Sequence, residues 1–254
     1  MQIDLSDQII LVTGASRGIG RAAAEFLDDA GATVAVHYGH SADAAAEVVN
    51  QCGPDARSFQ ADLSILDQTD SLIDRVVDAY GHLDTLVLNA GVARSTPLDA
   101  DTQHWNEAWS ETMHVNLRAP ELLSRHALTH FQSRDPSGGR IISVASRAAF
   151  RGDTPDYMTY AASKAGLVAL TRSIARGFGD AGVKAFTLAP GFTRTDMAQD
   201  FIDEYGEEHA TSDLALNRLT EPDDVASFVP FLASGQADHA TGTTIDVNAG
   251  SYVH

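Results

Sequence analysis

The sequence is short of cysteine, lysine and long apolar runs, and each shortage excludes something. Cys52 is the only cysteine in 254 residues, so no internal disulfide can form and a reducing, cytoplasmic setting is expected. The longest apolar runs, such as Ile9 to Val12, fall far below the ~20 residues that cross a bilayer. The opening MQIDLSDQ lacks the basic and apolar regions of a secretion signal. Two lysines occur, Lys164 and Lys184, and 17 Lys and Arg face 35 Asp and Glu, for a formal net charge of −18. Such a surface repels nucleic acid and anionic membranes, so neither is expected as a partner. It also suits a chain working in high salt, where ions screen self-repulsion. With 44% hydrophobic residues and no repeat or low-complexity tract, residues 1–254 read as one domain.

What is present is a regular alternation. QIILVT (8–13), TVAVHY (33–38), RSFQA (57–61), DTLVLNAG (84–91), GRIISVAS (139–146), KAFTLAPG (184–191) and TTIDVN (243–248) read as about seven strands. Helical spacing fills the intervals, with long patterns over 103–132, 158–180 and 222–233. This predicts an α/β fold: a doubly wound, Rossmann-type parallel sheet with helices on both faces. Ligands in such folds bind beyond the carboxyl ends of the strands, near the switch point.

TGASRGIG (13–20) follows the first strand and opens a helix. Gly14 permits a tight turn, Gly18 lets a pyrophosphate approach the backbone, and Gly20 lets the helix pack closely. No Gly-Lys-Ser/Thr ending follows, which argues against an ATP-type loop. Further on, TPDYMTYAASKAG (154–166) holds two tyrosines and Lys164. Tyr160 and Lys164 are four apart and share a helix face, whereas Tyr157 is seven from the lysine. An ammonium beside a phenol stabilises phenolate, and three pKa units correspond to about 4 kcal/mol. Tyr160 is therefore the candidate acid/base, Lys164 is expected to lower its pKa, and Tyr157 is left to packing or the substrate mouth.

TGASRGIG, Asn89-Ala90-Gly91, Tyr160-Ala-Ala-Ser-Lys164 and Pro190-Gly191, in that order, resemble the short-chain dehydrogenase/reductase family across essentially the whole chain. The resemblance implies a nicotinamide cofactor and a homotetramer. It carries cofactor contacts onto Gly14, Ser16, Arg17, Gly18, Ile19 and Gly20, onto Tyr38, Asp62 and Leu63, and onto Asn89, Ala90 and Gly91. Tyr160, Lys164, Pro190, Gly191, Thr193 and Thr195 complete the set. Ser146 resembles the family's catalytic serine, fourteen residues before Tyr160 where thirteen is commonest, which implies a slightly longer intervening loop. Ser143 is the alternative donor, but strand alternation turns it away from Ser146. Asn116 resembles the family's helix asparagine, which holds a water relaying protons from Lys164; the other reading is an asparagine bonded to backbone. Asp62 resembles the adenine-bonding position, or caps the helix starting near Ser64.

Tyr38 stands where family members using NAD carry Asp, and Arg17 offers a charge-assisted contact to a 2′-phosphate, with His37 and Ser41 as helpers. NADP(H) is thus favoured over NAD(H). The pattern is most similar to 3-oxoacyl-[acyl-carrier-protein] reductases, which implies an acyl-thioester substrate and acyl carrier protein as a partner. Arg176 matches one expected docking arginine, and Arg134 lies near the other without clear alignment. The alternatives are a reductase of small ketones, sugars or polyols, or a non-catalytic nicotinamide sensor. Thr195 to Leu219 reads as a mobile lid whose cations are Arg194 and Arg218, which disfavours a strongly anionic small substrate. His126 and His130, four apart, have no third metal ligand nearby, and no metal is expected.

Overall fold

The computed structural model describes residues 3–196, 211, 213–216 and 218–253. Strand β1 (Ile9–Val12) is buried at every position, as a continuous apolar run covered on both faces should be. It pairs with β2 (Thr33–Tyr38) on one side and β4 (Thr85–Leu88) on the other. With β3 (Arg57–Gln60), β5 (Gly139–Val144), β6 (Val183–Pro190) and β7 (Thr244–Val247) they form one seven-stranded sheet, ordered β3-β2-β1-β4-β5-β6-β7. Every pairing is parallel. The order reverses between β1 and β4, which opens the crevice expected to hold a ligand.

Alternate strand residues feed two cores. Ile10, Val12, Val34 and Val36 pack with α1 (Gly18–Asp29), α2 (Ala42–Gln51), α9 (Pro222–Ala226) and α10 (Phe228–Ala233). Ile9, Leu11 and Ala35 pack on the opposite face with α4 (Leu72–Tyr80), α6 (Ala119–Ser133) and α8 (Met158–Gly177). The short helices α3 (Leu66–Asp70) and α7 (Ala148–Arg151) follow β3 and β5.

The helical pattern over 103–132 resolves into α5 (Thr102–Met113), a five-residue π-helical turn (His114–Arg118) and α6. Pro120 has no N–H to give the Asn116 carbonyl four residues back, so the α-helical ladder cannot run through this point. No helix among the described residues is long and apolar enough to cross a membrane.

Candidate active site

The glycine loop is braced from below. Gly14 and Gly18 adopt φ of +63° and +55°, a region open to glycine. A Cβ on Gly20 would meet the Gly14 carbonyl oxygen at 2.3 Å and Asn89 Nδ2 at 2.4 Å, so only hydrogen fits there. Asn89 Nδ2 donates to the carbonyls of Thr13 (2.9 Å) and Gly14 (3.1 Å). Thr13 Oγ1 in turn accepts the amides of Asn89 and Ala90.

His37 completes the brace. Its Nδ1 accepts the Gly14 amide at 3.0 Å, which leaves the proton on Nε2, 3.0 Å from the Ala61 carbonyl. Burial, with Arg75 as a minor like charge, pushes its pKa down to about 4. A neutral, enclosed imidazole cannot serve as a cation for a 2′-phosphate, which corrects the helper role expected of it.

Helix α1 begins at this loop with neither a side-chain cap nor an acidic residue in its first turn. Its first amides therefore point at the cleft as an anion site. That start, a carboxylate at Asp62 and a buried ammonium at Lys164 fit a dinucleotide. The cleft itself encloses about 890 Å3. Every residue expected to touch cofactor lines it except Gly20 and Tyr38. Gly20 packs inside the loop as expected. Tyr38 is a correction: its side chain lies against the core beneath α1 and α2, and Gly39, His40 and Ser41 form the cleft wall instead.

Arg17 stands exposed at the cleft mouth, Nη1 3.1 Å from Asp196 Oδ2. Asp62 accepts from the Ser64 amide (2.9 Å) and hydroxyl (2.7 Å), and these bonds hold its pKa below the usual range. His40 Nε2 lies 3.4 Å from the same carboxylate. Asp62 thus caps a turn and faces the cleft at once.

At the other end, Ser146 follows β5 and Tyr160 stands near the start of α8. Ser146 and Tyr160 line the same cleft, and the Ser146 Oγ accepts the Ala148 amide at 3.1 Å. Ser143 faces the opposite way, bonded to the Thr171 hydroxyl at 2.8 Å. Lys164 is buried, donates from Nζ to the Val144 carbonyl at 2.8 Å, and lies 5.9 Å from the Tyr160 ring centre.

Tyrosine and lysine therefore share a helix face, but the expected acidification is not what this geometry delivers. Burial pushes the phenol up to about 12, Ser146 pulls against it, and Asp153 adds to the rise. Burial alone pulls Lys164 down to about 8. The ammonium sits over the ring and is held by the Val144 carbonyl.

Asn116 lies in the π turn and is fully buried. Its Oδ1 accepts the Val92 amide, and Nδ2 donates to the Val92 carbonyl (both 2.8 Å) and to Ser163 Oγ (3.0 Å). The side chain ties the π turn to the loop after β4 and to α8, and it does not line the cleft. A Cβ on Gly91 would come within 3.2 Å of Lys164 Nζ and 3.3 Å of Asn116 Oδ1, so the smallest residue keeps these groups close. Pro190, Gly191, Thr193 and Thr195 also line the cleft, and Thr195 Cγ2 would lie 3.2 Å from a Cβ on Gly18. A Cβ on Gly191 would strike Asn248 at 2.7 Å, so β6 and the segment after β7 meet closely there.

The substrate end carries groups that the motifs do not announce: Arg94, Glu111, Arg147, Arg151, Asp153 and Tyr157 line it. Arg94 is closed off by both oxygens of Glu111, at 2.8 and 2.6 Å. Arg147, next to the catalytic serine candidate, is buried, and its guanidinium is pulled below its usual range by burial and by Arg151. Of the segment read as a lid, residues 197–210, 212 and 217 lie outside the described residues. Arg218 is taken up by Asp224, and Arg194 pairs with Glu221.

The other sequence candidates fall elsewhere. His126 pairs with Asp70 and His130 accepts the Leu83 amide, and no metal-binding cluster occurs among the described residues. Arg134 is committed to Asp84 and the Leu83 carbonyl, which removes it as a docking cation. Cys52 is buried, and burial with three neighbouring carboxylates pushes its thiol up to about 12.

Comparison with known proteins agrees with this geometry. The family model described as enoyl-(acyl carrier protein) reductase matches residues 14–252. The chain is 35% identical to the 3-oxoacyl-[acyl-carrier-protein] reductase FabG of Vibrio harveyi, over 99% of this chain and 100% of that one. A short chain dehydrogenase from Burkholderia cenocepacia, solved in complex with NADP, superposes with a TM-score of 0.89 at 36% identity, covering 97% of this chain and 98% of that one. The 3-ketoacyl-(acyl-carrier-protein) reductase of Brucella melitensis, complexed with NADH, also gives 0.89 at 26% identity, over 98% and 100%. The glycine loop, the Ser146–Tyr160–Lys164 arrangement and a FabG-like sequence along nearly its whole length place this enzyme in the short-chain dehydrogenase/reductase family of nicotinamide-dependent oxidoreductases.

Proposed function

We propose that the enzyme reduces the ketone of a 3-oxoacyl compound to a secondary alcohol with NADPH, as one catalytic domain spanning residues 1–254. The observation that carries this is one cleft lined by Ser146, Tyr160 and Lys164, with buried Lys164 one helical turn along from the tyrosine and 5.9 Å from its ring centre. Tyr160 is protonated at neutral pH and is placed to donate its proton to the oxygen of the ketone being reduced. Ser146 steadies the oxygen as negative charge develops on it. Lys164, with a pKa of about 8, keeps its charge at neutral pH and binds the ribose side of the cofactor. Asn116 acts as a positioning residue through Val92 and Ser163. The nicotinamide cofactor, when bound, supplies the hydride.

NADPH is preferred over NADH in this reading because no carboxylate stands at the end of β2 and Arg17 faces the cleft. Arg17→Gln should weaken NADPH binding by roughly tenfold, the loss of one charge-assisted bond, and leave NADH binding level. Titration of protein fluorescence with each nucleotide reads this directly; equal binding of both by the native enzyme contradicts it.

The FabG relatives support an acyl carrier protein as the donor of the substrate, with exposed Arg176 on α8 as a docking cation. The single buried cysteine supports a reducing, cytoplasmic setting, and the family resemblance implies a homotetramer. Consumption of NADPH with an acetoacetyl thioester tests the reaction. A second reading, a reductase of small polar ketones, sugars or polyols, is favoured by the charged side chains crowding the substrate end.

A further inference from the structure

The cations of the cleft are not equally compensated. Arg94 has Glu111 to itself, bound by two nitrogens, and Arg17 has Asp196. Arg147 and Arg151 instead converge on a single oxygen of Asp213, at 3.0 and 3.3 Å. Each guanidinium carries five N–H donors, and among the described residues each uses one. Asp153, the other carboxylate beside them, accepts the Thr154 amide at 2.8 Å and forms no ion pair with either arginine among the described residues.

Placement makes this surplus useful. Arg147 and Arg151 bracket α7, four residues apart and so on one face, and both line the cleft with Ser146 and Tyr160. The Arg147 amide is tied to the Pro190 carbonyl at 2.9 Å, which roots its side chain immediately after the serine. With nine-tenths of its surface buried, Arg147 gains little from water. A planar anion is the partner that matches two guanidinium forks. The extra residue between Ser146 and Tyr160 falls in the stretch that carries this pair.

We propose that Arg147 and Arg151 bind a carboxylate of the substrate, sharing or replacing Asp213, so that this enzyme takes a small oxo acid in preference to a neutral ketone. The proposal rests on the carbonyl-reductase reading of the same cleft and takes the small polar substrate of its second form over the carrier-bound thioester. It also reverses the expectation drawn from the 195–219 segment alone, because the anchoring cations come from α7.

The test pairs acetoacetate and levulinate with their methyl esters, beside an acetoacetyl thioester, for the native enzyme, Arg151→Gln and Arg151→Lys. Arg151 is the partly exposed member of the pair, so its replacement spares the fold. The native enzyme should favour each acid over its ester in kcat/KM. Arg151→Gln should cut the acid-to-ester ratio by roughly 10- to 50-fold, through KM, as loss of a charge-assisted bond does, and Arg151→Lys should restore part of it. A native preference for esters or thioester, with a ratio untouched by Arg151→Gln, overturns the anchor and leaves the reductase reading standing. Calorimetric titration with 3-hydroxybutyrate separates the two ideas if no compound oxidises NADPH. Binding lost in Arg151→Gln then upholds the carboxylate site and sinks the reductase reading, whereas no binding to the native enzyme sinks the site.

Discussion

Replacing His37 with glutamine should flatten the response of this fold to acid, and the size of the effect follows from one buried imidazole. His37 is 2% exposed, bonded to Gly14 and Ala61, with a pKa pushed from 6.5 to about 4. The unfolded chain takes up this proton below about 6.5, and the folded chain refuses it until about 4. The stability owed to the neutral ring is therefore complete above about pH 6.5 and declines as pH falls toward 4. At 1.36 kcal/mol per pH unit, the full decline is about 3 kcal/mol. An imidazolium also has no acceptor left, so the Gly14 amide would face another N–H and the glycine loop would lose its brace. Denaturant unfolding of native and His37→Gln enzyme, at about pH 7 and about pH 4.5, isolates this contribution from that of the many carboxylates. The difference in stability between the two should move by about 2 kcal/mol across the interval. Parallel pH profiles would refute the reasoning.

Two further expectations concern the site. Asp153→Asn removes a negative charge that raises the Tyr160 pKa, so the phenol should ionise at lower pH in a spectrophotometric titration referenced to Tyr160→Phe; an unmoved titration would show that Asp153 does not act on the phenol. Gly20→Ala puts a methyl 2.3 Å from the Gly14 carbonyl oxygen. It should abolish nucleotide binding in a fluorescence titration and cost about 1–3 kcal/mol of stability, and an alanine variant that binds normally would contradict the packing described.

Much of this was legible in the sequence because its cues are local. TVAVHY coincides with β2 at both ends, since a buried run between turn residues has few other places to go. The π turn was not legible: it inserts one extra residue per turn without disturbing the apolar spacing on either side, and only Pro120 beside Asn116 hints at the break. The pattern over 222–233 likewise divides at Ser227 into α9 and α10.

Tyr38 is legible from strand alternation. Along β2 it shares a face with Val34 and Val36, which enter the core under α1 and α2, while His37 alternates to the other side. Period-two alternation alone turns the tyrosine away from the cleft. The Tyr160 pKa was beyond reach for another reason. Helix spacing gives the shared face of Tyr160 and Lys164, but burial and the lysine's commitment to the Val144 carbonyl are long-range facts. Arg147 and Arg151 carry no local signal for a similar reason, since their shared carboxylate, Asp213, lies 66 and 62 residues away.

The most direct measurement is a single-turnover reduction by Tyr160→Phe, following NADPH absorbance, with nucleotide affinity measured in parallel. Proton donation by the phenol predicts hydride transfer slowed by about 10²- to 10⁴-fold with NADPH bound as tightly as before. Hydride transfer at the native rate in the phenylalanine enzyme would contradict the account.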